Sequence, residues 1–264
     1  MFISPLLNKN QNFKLKISAT IITFNEENNI ARCIDSLLSV ADEIVVVDSF
    51  STDRTEEICR SKGVKFIQHK FEGHIEQKNF AITQASHPRI LSLDADEALS
   101  PELASSILNA KQKWKFDGYE FNRLTNYCGK WIRHCGWYPD KKIRLWDRSA
   151  GQWGGINPHD AIKMKSGMSI GYLKGDLLHY SYTSIRQHID QLNYFTEIMA
   201  KEAVTKGKNA TMLNLFFSPG IKFFKSYLIQ LGILDGYYGF IVCTLSSFAT
   251  FIKYTKIIEL KKRN

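Results

Sequence analysis

The chain has 264 residues, of which 44% are hydrophobic and 23% charged, and this composition excludes disordered, collagen-like and coiled-coil proteins. Lysine and arginine number 35 against 26 acidic residues, so the formal net charge of +9 favours an anionic partner such as nucleic acid, anionic lipid or a phosphorylated small molecule. Because the sequence contains no zinc-finger, RRM-like or long arginine-rich pattern, we expect no nucleic-acid partner.

The first hundred residues alternate short apolar runs with segments of helical spacing. The apolar runs are rich in β-branched residues and predict buried strands at residues 17–23, 43–48, 64–68 and 89–93. The intervening segments predict helices at residues 26–40, 52–63 and 74–86, and Ser100-Pro101 predicts the start of another. This alternation predicts an α/β fold with a mostly parallel sheet covered by helices on both faces.

The pattern changes after about Asp117. Shorter runs separated by Gly, Pro and Asn predict smaller, mixed or antiparallel strands at residues 118–123, 142–146, 162–164 and 169–173. Apolar residues then recur every three or four positions, which predicts an amphipathic helix over residues 184–206. From Met212 onward the chain becomes markedly apolar and aromatic, with lysines interspersed.

Polar residues follow three of the predicted strands, namely Thr23 to Asn25, Asp48 with Ser49, and Asp94 with Asp96. Because parallel strands end at the same edge of a sheet, we expect these residues to converge where such sheets bind ligands. Asp94 and Asp96 can share Mg²⁺ or Mn²⁺, which take oxygen ligands and bridge to phosphate. The alternative is a turn with solvated carboxylates before the next helix.

Two further residues are candidates for the same edge. Asp48 can accept hydrogen bonds from a base or a ribose. The alternative is that Asp48 belongs to an N-cap-like turn before the next helix. Lys78 lies early in the helix that precedes the Asp-Ala-Asp strand and could pair with a diphosphate. A solvated helix lysine is the alternative for Lys78.

Four ordered segments together resemble the family 2 inverting glycosyltransferases. They are IITFNEE at 21–27, VVDSFSTD at 46–53, QKNFAI at 77–82 and SLDADE at 92–97. The resemblance covers roughly residues 17–182 with order and spacing preserved. It implies the Rossmann-like, nucleotide-sugar-binding GT-A fold and an enzyme that moves a sugar from a nucleotide diphosphate to an acceptor.

The resemblance also implies roles for individual residues. Asp48 would contact the nucleotide base, Asp94 and Asp96 would carry the ribose and metal contacts, and His179 would complete the metal site with Asp96. Thr23, Asn25, Glu27 and Lys78 belong to the matched segments and are expected to bind the donor, a UDP-sugar, together with Mg²⁺ or Mn²⁺. The catalytic base would be Asp160 in Pro158-His159-Asp160, where Asp replaces the Glu that is common in the subgroup.

The second half narrows the resemblance to a subgroup. The segments Trp137-Tyr138-Pro139-Asp140, Arg144-Leu145-Trp146 and the run from Leu178 to Ser184 resemble the lipopolysaccharide core β-glucosyltransferases. The resemblance implies a hexose such as glucose, and a glycan or glycolipid acceptor of the cell envelope. Two alternatives remain open at this point: a sugar nucleotidyltransferase, and a non-catalytic, membrane-associated nucleotide-sugar-binding protein.

The same reasoning predicts the domains and the location. We expect an N-terminal extension at 1–16, a GT-A domain at 17–182 with a nucleotide-sugar half (17–116) and an acceptor half (117–182), and a helical, membrane-associating region at 183–264. The five cysteines are odd in number and form no CxxC pair, and the first 16 residues lack the apolar run of a signal peptide, so a cytosolic protein is expected.

The C-terminal region suggests how the chain meets a membrane. No charged residue occurs from Gly236 to Ile252, a length at the lower limit for crossing a bilayer, and a basic cluster follows. Aromatic residues and lysines upstream suit a membrane interface better than its centre. We therefore expect peripheral attachment to the inner face of the cytoplasmic membrane; the alternative is a buried helical pair packed on the catalytic domain or on a second subunit.

Overall fold

The computed structural model describes residues 15–156 and 159–263, so residues 1–14 of the predicted N-terminal extension lie outside the described part. The strands are β1 (Ile17–Thr23), β2 (Glu43–Asp48), β3 (Lys65–Gln68), β4 (Arg89–Asp94), β5 (Glu97–Leu99), β6 (Gly118–Tyr127), β7 (Lys130–Ile132), β8 (Asp140–Asp147), β9 (Gly151–Ile156), β10 (His159–Met164) and β11 (Ile170–Tyr182). The α-helices are α1 (Ile30–Leu37), α2 (Thr55–Ser61), α3 (His74–Thr83), α4 (Pro101–Gln112), α5 (Ile185–Thr205), α6 (Met212–Phe224) and α7 (Gly236–Arg263).

The first four strands form the parallel part of the sheet. β1 pairs in parallel with both β2 and β4, and β2 pairs in parallel with β3. Val45, Val46 and Val47 are all fully buried, as expected for a parallel strand covered on both faces. Thr23 lies beside Asp48 and Ile22 beside Asp94, so the carboxyl ends of three strands are neighbours, as predicted.

The remaining strands are antiparallel wherever their pairing is described. The hydrogen-bonded order is β3-β2-β1-β4-β8-β6-β11-β5, with β7 beside β6, while β9 and β10 form a separate hairpin. β4 pairs with β8, β11 with β5, and β6 with β7, each in antiparallel fashion. The prediction of a parallel first half followed by mixed or antiparallel strands is therefore confirmed.

Contacts along the chain separate two compact units. The first contains the residues up to 95 together with 101–120 and 143–175, and the second contains 96–100, 121–142 and the chain from 176 onward. Trp146 and Trp153 are buried in a core cluster of the first unit, and Tyr127 is buried in one of the second. The domain boundaries expected from the sequence stay predictions.

Two strands differ from the sequence-based expectation. The sequence analysis left a turn before the next helix as the alternative to a metal site at Asp94 and Asp96, and it predicted no strand there; Glu97–Leu99 forms the short strand β5, whose Ala98 lies opposite Leu178. The strand predicted at 169–173 continues to Tyr182 as β11. Both differences have one cause, because each segment becomes a strand through pairing with a partner some 80 residues away in the chain, and local periodicity carries no signal of that partner.

The C-terminal helices differ in how they are packed. α5 is the predicted amphipathic helix, with Leu192 and Ala200 buried. α7 buries Val242 and Cys243 completely, in the cluster around Tyr127. α6 has no buried residue, although it is largely apolar. A π-helical turn (Lys225–Ile229) and a 3₁₀ turn (Gly232–Asp235) separate α6 from α7.

Within residues 15–156 and 159–263, one helical stretch is long and apolar enough to cross a membrane. It runs from Gly232 to Lys262, and 17% of its most apolar part is buried. Core helices of soluble proteins share this length and composition.

Candidate active site

The loops that follow β1 and β2 are hydrogen-bonded to each other. The Asn25 side chain accepts a hydrogen bond from the Thr52 backbone N–H at 2.8 Å, and the Asn25 backbone N–H donates to Ser51 Oγ at 2.8 Å. Glu27 Oε2 accepts from the Arg54 backbone N–H at 3.2 Å. Asn25 has φ = 54°, a left-handed conformation that Asn tolerates well. Asn25 and Glu27 thus connect two loops at the predicted ligand edge.

Thr23 and Asp48 lie at the adjacent ends of β1 and β2. Asp48 is fully buried, and its carboxylate accepts hydrogen bonds from the Ser51 backbone N–H, at 2.8 Å, and from the Ser51 hydroxyl. Thr23 is buried as well, and its hydroxyl has no hydrogen-bond partner within the described residues. A buried hydroxyl without a partner is unusual in a folded protein and marks a point where a ligand could supply the hydrogen bond.

A thiol behind this edge is inert. Burial raises the pKa of Cys59 to about 12, and the negative charge of Asp48 adds to the shift. A thiol with that pKa stays protonated at neutral pH and is a poor nucleophile. All five cysteines are free.

Three consecutive residues of α3 contact three different segments. Gln77 donates to Ser49 Oγ at 3.0 Å and to the His69 carbonyl at 3.1 Å. Asn79 donates to the Trp153 carbonyl at 3.0 Å and accepts from the Trp153 backbone N–H at 3.1 Å. Lys78 lies between them in the sequence, and its side chain is buried.

Lys78 brings two of the predicted carboxylates together. Its Nζ lies 2.8 Å from Asp94 Oδ1 and 2.7 Å from Asp160 Oδ2. Arg144, also buried, donates to Asp94 Oδ2 at 3.2 Å. Two cations therefore face two carboxylates, which is the pairing that buried charges require.

The ring of Trp153 packs against both cations. Lys78 Nζ lies 4.2 Å and Arg144 Cζ 4.8 Å from the ring centroid, both within the range of cation–π attraction. Trp153 belongs to β9, and β10 carries Asp160 opposite Gly155. The β9–β10 hairpin thus brings Asp160 to α3. The neighbouring Pro158 of the predicted motif lies outside the described residues.

The second carboxylate of Asp-Ala-Asp has a different partner. Asp96 Oδ2 lies 3.1 Å from His179 Nε2, within the second unit, where the Tyr180 backbone N–H also donates to the Asp96 carbonyl at 2.9 Å. The position of His179 is determined by the pairing of β11 with β5, in which His179 lies opposite Glu97. The predicted metal pair is therefore adjacent.

Sequence reasoning identified some of these residues and missed others. Lys78, Asp94 and Asp160 were predicted and lie in contact, although Lys78 was expected to face a diphosphate rather than two carboxylates. The ion pair of Arg144 with Asp94 was missed, because the sequence analysis used Arg144 only as part of the Arg144-Leu145-Trp146 segment. Nothing in the sequence singled out Trp153. An indirect signal was Asn79, because a side-chain amide can donate to a backbone carbonyl and accept from a backbone N–H at the same time.

The chain was also compared with known proteins. The sequence profile of the glycosyl transferase family 2 matches residues 18–174. A glycosyltransferase of Rickettsia typhi is 33% identical over 94% of this chain and 89% of its own length. The lipopolysaccharide core biosynthesis glycosyltransferase LpsC of Rhizobium meliloti is 30% identical over 93% of each chain. Among solved structures, S. aureus TarS 1-349 is similar with a TM-score of 0.44 and 16% identity, over 95% of this chain and 92% of that one.

These findings decide the class of the protein. The profile covers more than half of the chain, and the relatives span nearly all of it. The predictions of a GT-A α/β fold and of an enzyme are confirmed, which leaves no support for a nucleotidyltransferase or a non-catalytic binding protein. The chain belongs to the family 2 glycosyltransferases.

Proposed function

We propose that the protein is an inverting glycosyltransferase that moves a hexose, such as glucose, from a UDP-sugar to a glycolipid of the cell envelope, with Asp160 as the catalytic base. The observation that carries this proposal is the contact of Asp160 and Asp94 with the same buried lysine. Asp94 ends a strand at the predicted donor edge, so this contact supports a role for Asp160, on the hairpin proposed to serve the acceptor, beside that edge.

Donor binding is proposed for the residues at the ends of β1, β2 and β4. Thr23, whose buried hydroxyl has no partner in the described part of the chain, would hydrogen-bond the nucleotide directly. Asp48 would meet the base, and because Ser51 already binds its carboxylate, the base would share or replace those hydrogen bonds. Asn25 and Glu27 would shape the loops, and Asp94 would meet the ribose.

A divalent cation is proposed for Asp96 and His179. One carboxylate oxygen and one imidazole nitrogen lie 3.1 Å apart, and this donor set suits Mn²⁺ better than Mg²⁺. Residues 15–156 and 159–263 contain no group of three or more His, Cys, Asp or Glu suited to a metal, so phosphate oxygens and water would supply the other ligands. When bound, the cation would stabilise the charge of the leaving diphosphate.

The chemical step follows from a carboxylate base. Asp160 would take the proton from the acceptor hydroxyl, whose oxygen attacks the anomeric carbon from the face opposite the diphosphate. The carbon–oxygen bond to the nucleoside diphosphate breaks with its electron pair, so an α-linked donor gives a β-linked product. General-base catalysis of this kind contributes about 10²–10⁴-fold to the rate.

The acceptor class is supported by one relative and by charge. LpsC is named for lipopolysaccharide core biosynthesis and aligns over nearly its whole length. The net charge of +9 suits an anionic glycolipid or the membrane that presents it. We therefore propose an acceptor of the lipopolysaccharide core class, presented at the cytoplasmic face of the membrane.

Peripheral membrane attachment is proposed through α6. Leu213, Phe216, Phe217 and Ile221 are each more than 60% exposed, a degree of apolar exposure that marks an interaction surface. Lys222 and Lys225 follow Ile221 closely in the sequence, are exposed and would meet anionic headgroups. We propose attachment in the membrane plane, in which α7 keeps Val242 and Cys243 in the core around Tyr127.

A donor screen tests the proposed reaction. The full-length protein would be incubated with UDP-glucose, UDP-galactose and other nucleotide sugars, with a lipopolysaccharide-core acceptor, in Mn²⁺, in Mg²⁺ and in EDTA. We expect transfer from a UDP-hexose that needs the added cation. Transfer that continues unchanged in EDTA contradicts the metal assignment, and transfer from none of the donors contradicts the proposed substrate class.

A further inference from the structure

Lys78 is in an unusual position for a donor-binding lysine. Lys78 is only 3% exposed. Its ammonium group lies within 2.8 Å of two carboxylates, Asp94 of β4 and Asp160 of β10. A buried ammonium group needs such pairing, because the desolvation of an unpaired charge costs several kcal/mol. A diphosphate would have to displace one of these carboxylates to reach it.

The surroundings of Lys78 fix its geometry. The Trp153 ring covers the ammonium at 4.2 Å, and Asn79 holds the Trp153 backbone through two hydrogen bonds. Arg144 neutralises the remaining charge, so the four ionic side chains sum to zero. Two neighbouring residues of α3 thus hold the β9–β10 hairpin: Asn79 binds the backbone of Trp153, and Lys78 binds the carboxylate of Asp160.

The two oxygens of Asp160 are in different environments. Oδ2 accepts the hydrogen bond from Lys78, whereas Oδ1 has no hydrogen-bond or ion-pair partner among the described residues. A carboxylate bound through one oxygen is held in a single orientation, and the other oxygen is left to accept a proton.

We propose that Lys78 is the positioning residue of the catalytic base: it binds Asp160 Oδ2, holds the carboxylate in one orientation and leaves Oδ1 toward the acceptor hydroxyl. The inference rests on the proposed role of Asp160. It replaces the expectation that Lys78 binds the diphosphate, and the two roles differ in what they predict for UDP affinity and for turnover.

A double-mutant cycle tests this role. Lys78→Met, Asp160→Asn and the double variant would be compared with native protein in kcat for transfer and in UDP affinity by calorimetry. If Lys78 acts through Asp160, Lys78→Met lowers kcat by about 10²-fold in the native background but less than about threefold in Asp160→Asn. UDP affinity should stay within about twofold. Lys70→Met, at an exposed lysine of the same unit, is the control.

The outcomes separate the alternatives. Loss of UDP binding in Lys78→Met, or equal effects on kcat in both backgrounds, would overturn the proposal. If Lys78→Met does not fold, Lys78→Gln can still hydrogen-bond Asp160 without charge, and the same cycle applies to it. Full activity of Asp160→Asn would instead refute the proposed base, a result that is distinct from failure of the lysine's role.

Discussion

At the scale of single residues, the site is built from charges whose roles depend on partners. Asp94 and Asp96 are separated by one residue in the sequence, yet Asp94 pairs with Lys78 and Arg144 whereas Asp96 pairs with His179. The sequence indicated that both carboxylates are functional because they follow a buried strand. It could not distinguish their partners, since these come from segments 16 to 83 residues away.

The first prediction concerns Asp160. Asp160→Asn keeps the size of the side chain but cannot take a proton, so we expect kcat to fall by about 10²–10⁴-fold. UDP affinity, measured by calorimetry, should remain nearly native because Asp160 is proposed to serve the acceptor. Asp190→Asn, at an exposed helix position, is the control. A collapse of UDP affinity would identify Asp160 as a donor-binding or structural residue.

The second prediction concerns the metal pair. Native protein should bind UDP more tightly in Mn²⁺ than in EDTA, and His179→Ala should lose most of that difference because one of two protein ligands is gone. Calorimetry in both buffers measures the effect without turnover, and His74→Ala at an exposed histidine serves as the control. An unchanged Mn²⁺ effect in His179→Ala would remove His179 from the metal site.

At the scale of elements, the sequence predicted most of what local pattern determines. The buried strands β1, β2 and β4 carry continuous apolar runs, and their ends were placed within one residue. β5 was missed because a three-residue strand has no periodicity of its own, and its identity depends on β11. The position of the β9–β10 hairpin against α3 depends on side-chain contacts of Asn79 and Lys78, which no local pattern encodes.

The third prediction concerns α5 and its buried histidine. Burial lowers the pKa of His188 to about 4, and its Nδ1 lies 3.0 Å from the Tyr127 hydroxyl oxygen. The unfolded chain has the ordinary histidine pKa of about 6.5, so between these values the unfolded state binds more protons. Stability is therefore complete above pH 6.5 and is lost as the pH falls toward 4.

Urea unfolding at pH 7 and pH 4.5 measures this effect. Other groups contribute to acid sensitivity, so the comparison is with His188→Gln, which keeps a polar side chain that does not titrate. We expect the variant to lose roughly 2 kcal/mol less stability than native protein between the two pH values. Equal losses in both proteins would show that His188 is not buried in its neutral form.

At the scale of the whole molecule, the C-terminal region combines two kinds of surface. α7 contributes Val242 and Cys243 to a protein core, whereas α6 buries none of its residues. Apolar composition predicted a membrane-associating or buried helical pair, and it could not separate the two helices, because both are rich in aromatic residues. Packing distinguishes them in part: α6 buries none of its residues, whereas α7 buries Val242 and Cys243 but leaves Tyr237, Phe240 and Phe248 exposed.

The fourth prediction tests that face. The triple variant Phe216→Ser, Phe217→Ser and Ile221→Ser should sediment with anionic phosphatidylglycerol vesicles at least about tenfold less than native protein, because each large side chain contributes about 1.5–3 kcal/mol on burial. UDP affinity should be unchanged. Tyr172→Ser, at an exposed aromatic residue of the first unit, is the control. Equal sedimentation of the triple variant and native protein would contradict attachment through α6.

The stereochemistry of the product tests the central claim most directly. Proton NMR of the product formed from α-linked UDP-glucose, or from whichever UDP-hexose is used, reports the anomeric configuration through the H1–H2 coupling. The proposed attack assisted by Asp160 predicts a β-linked product with native protein and almost none with Asp160→Asn. An α-linked product, or a β-linked product formed equally fast by Asp160→Asn, would contradict it.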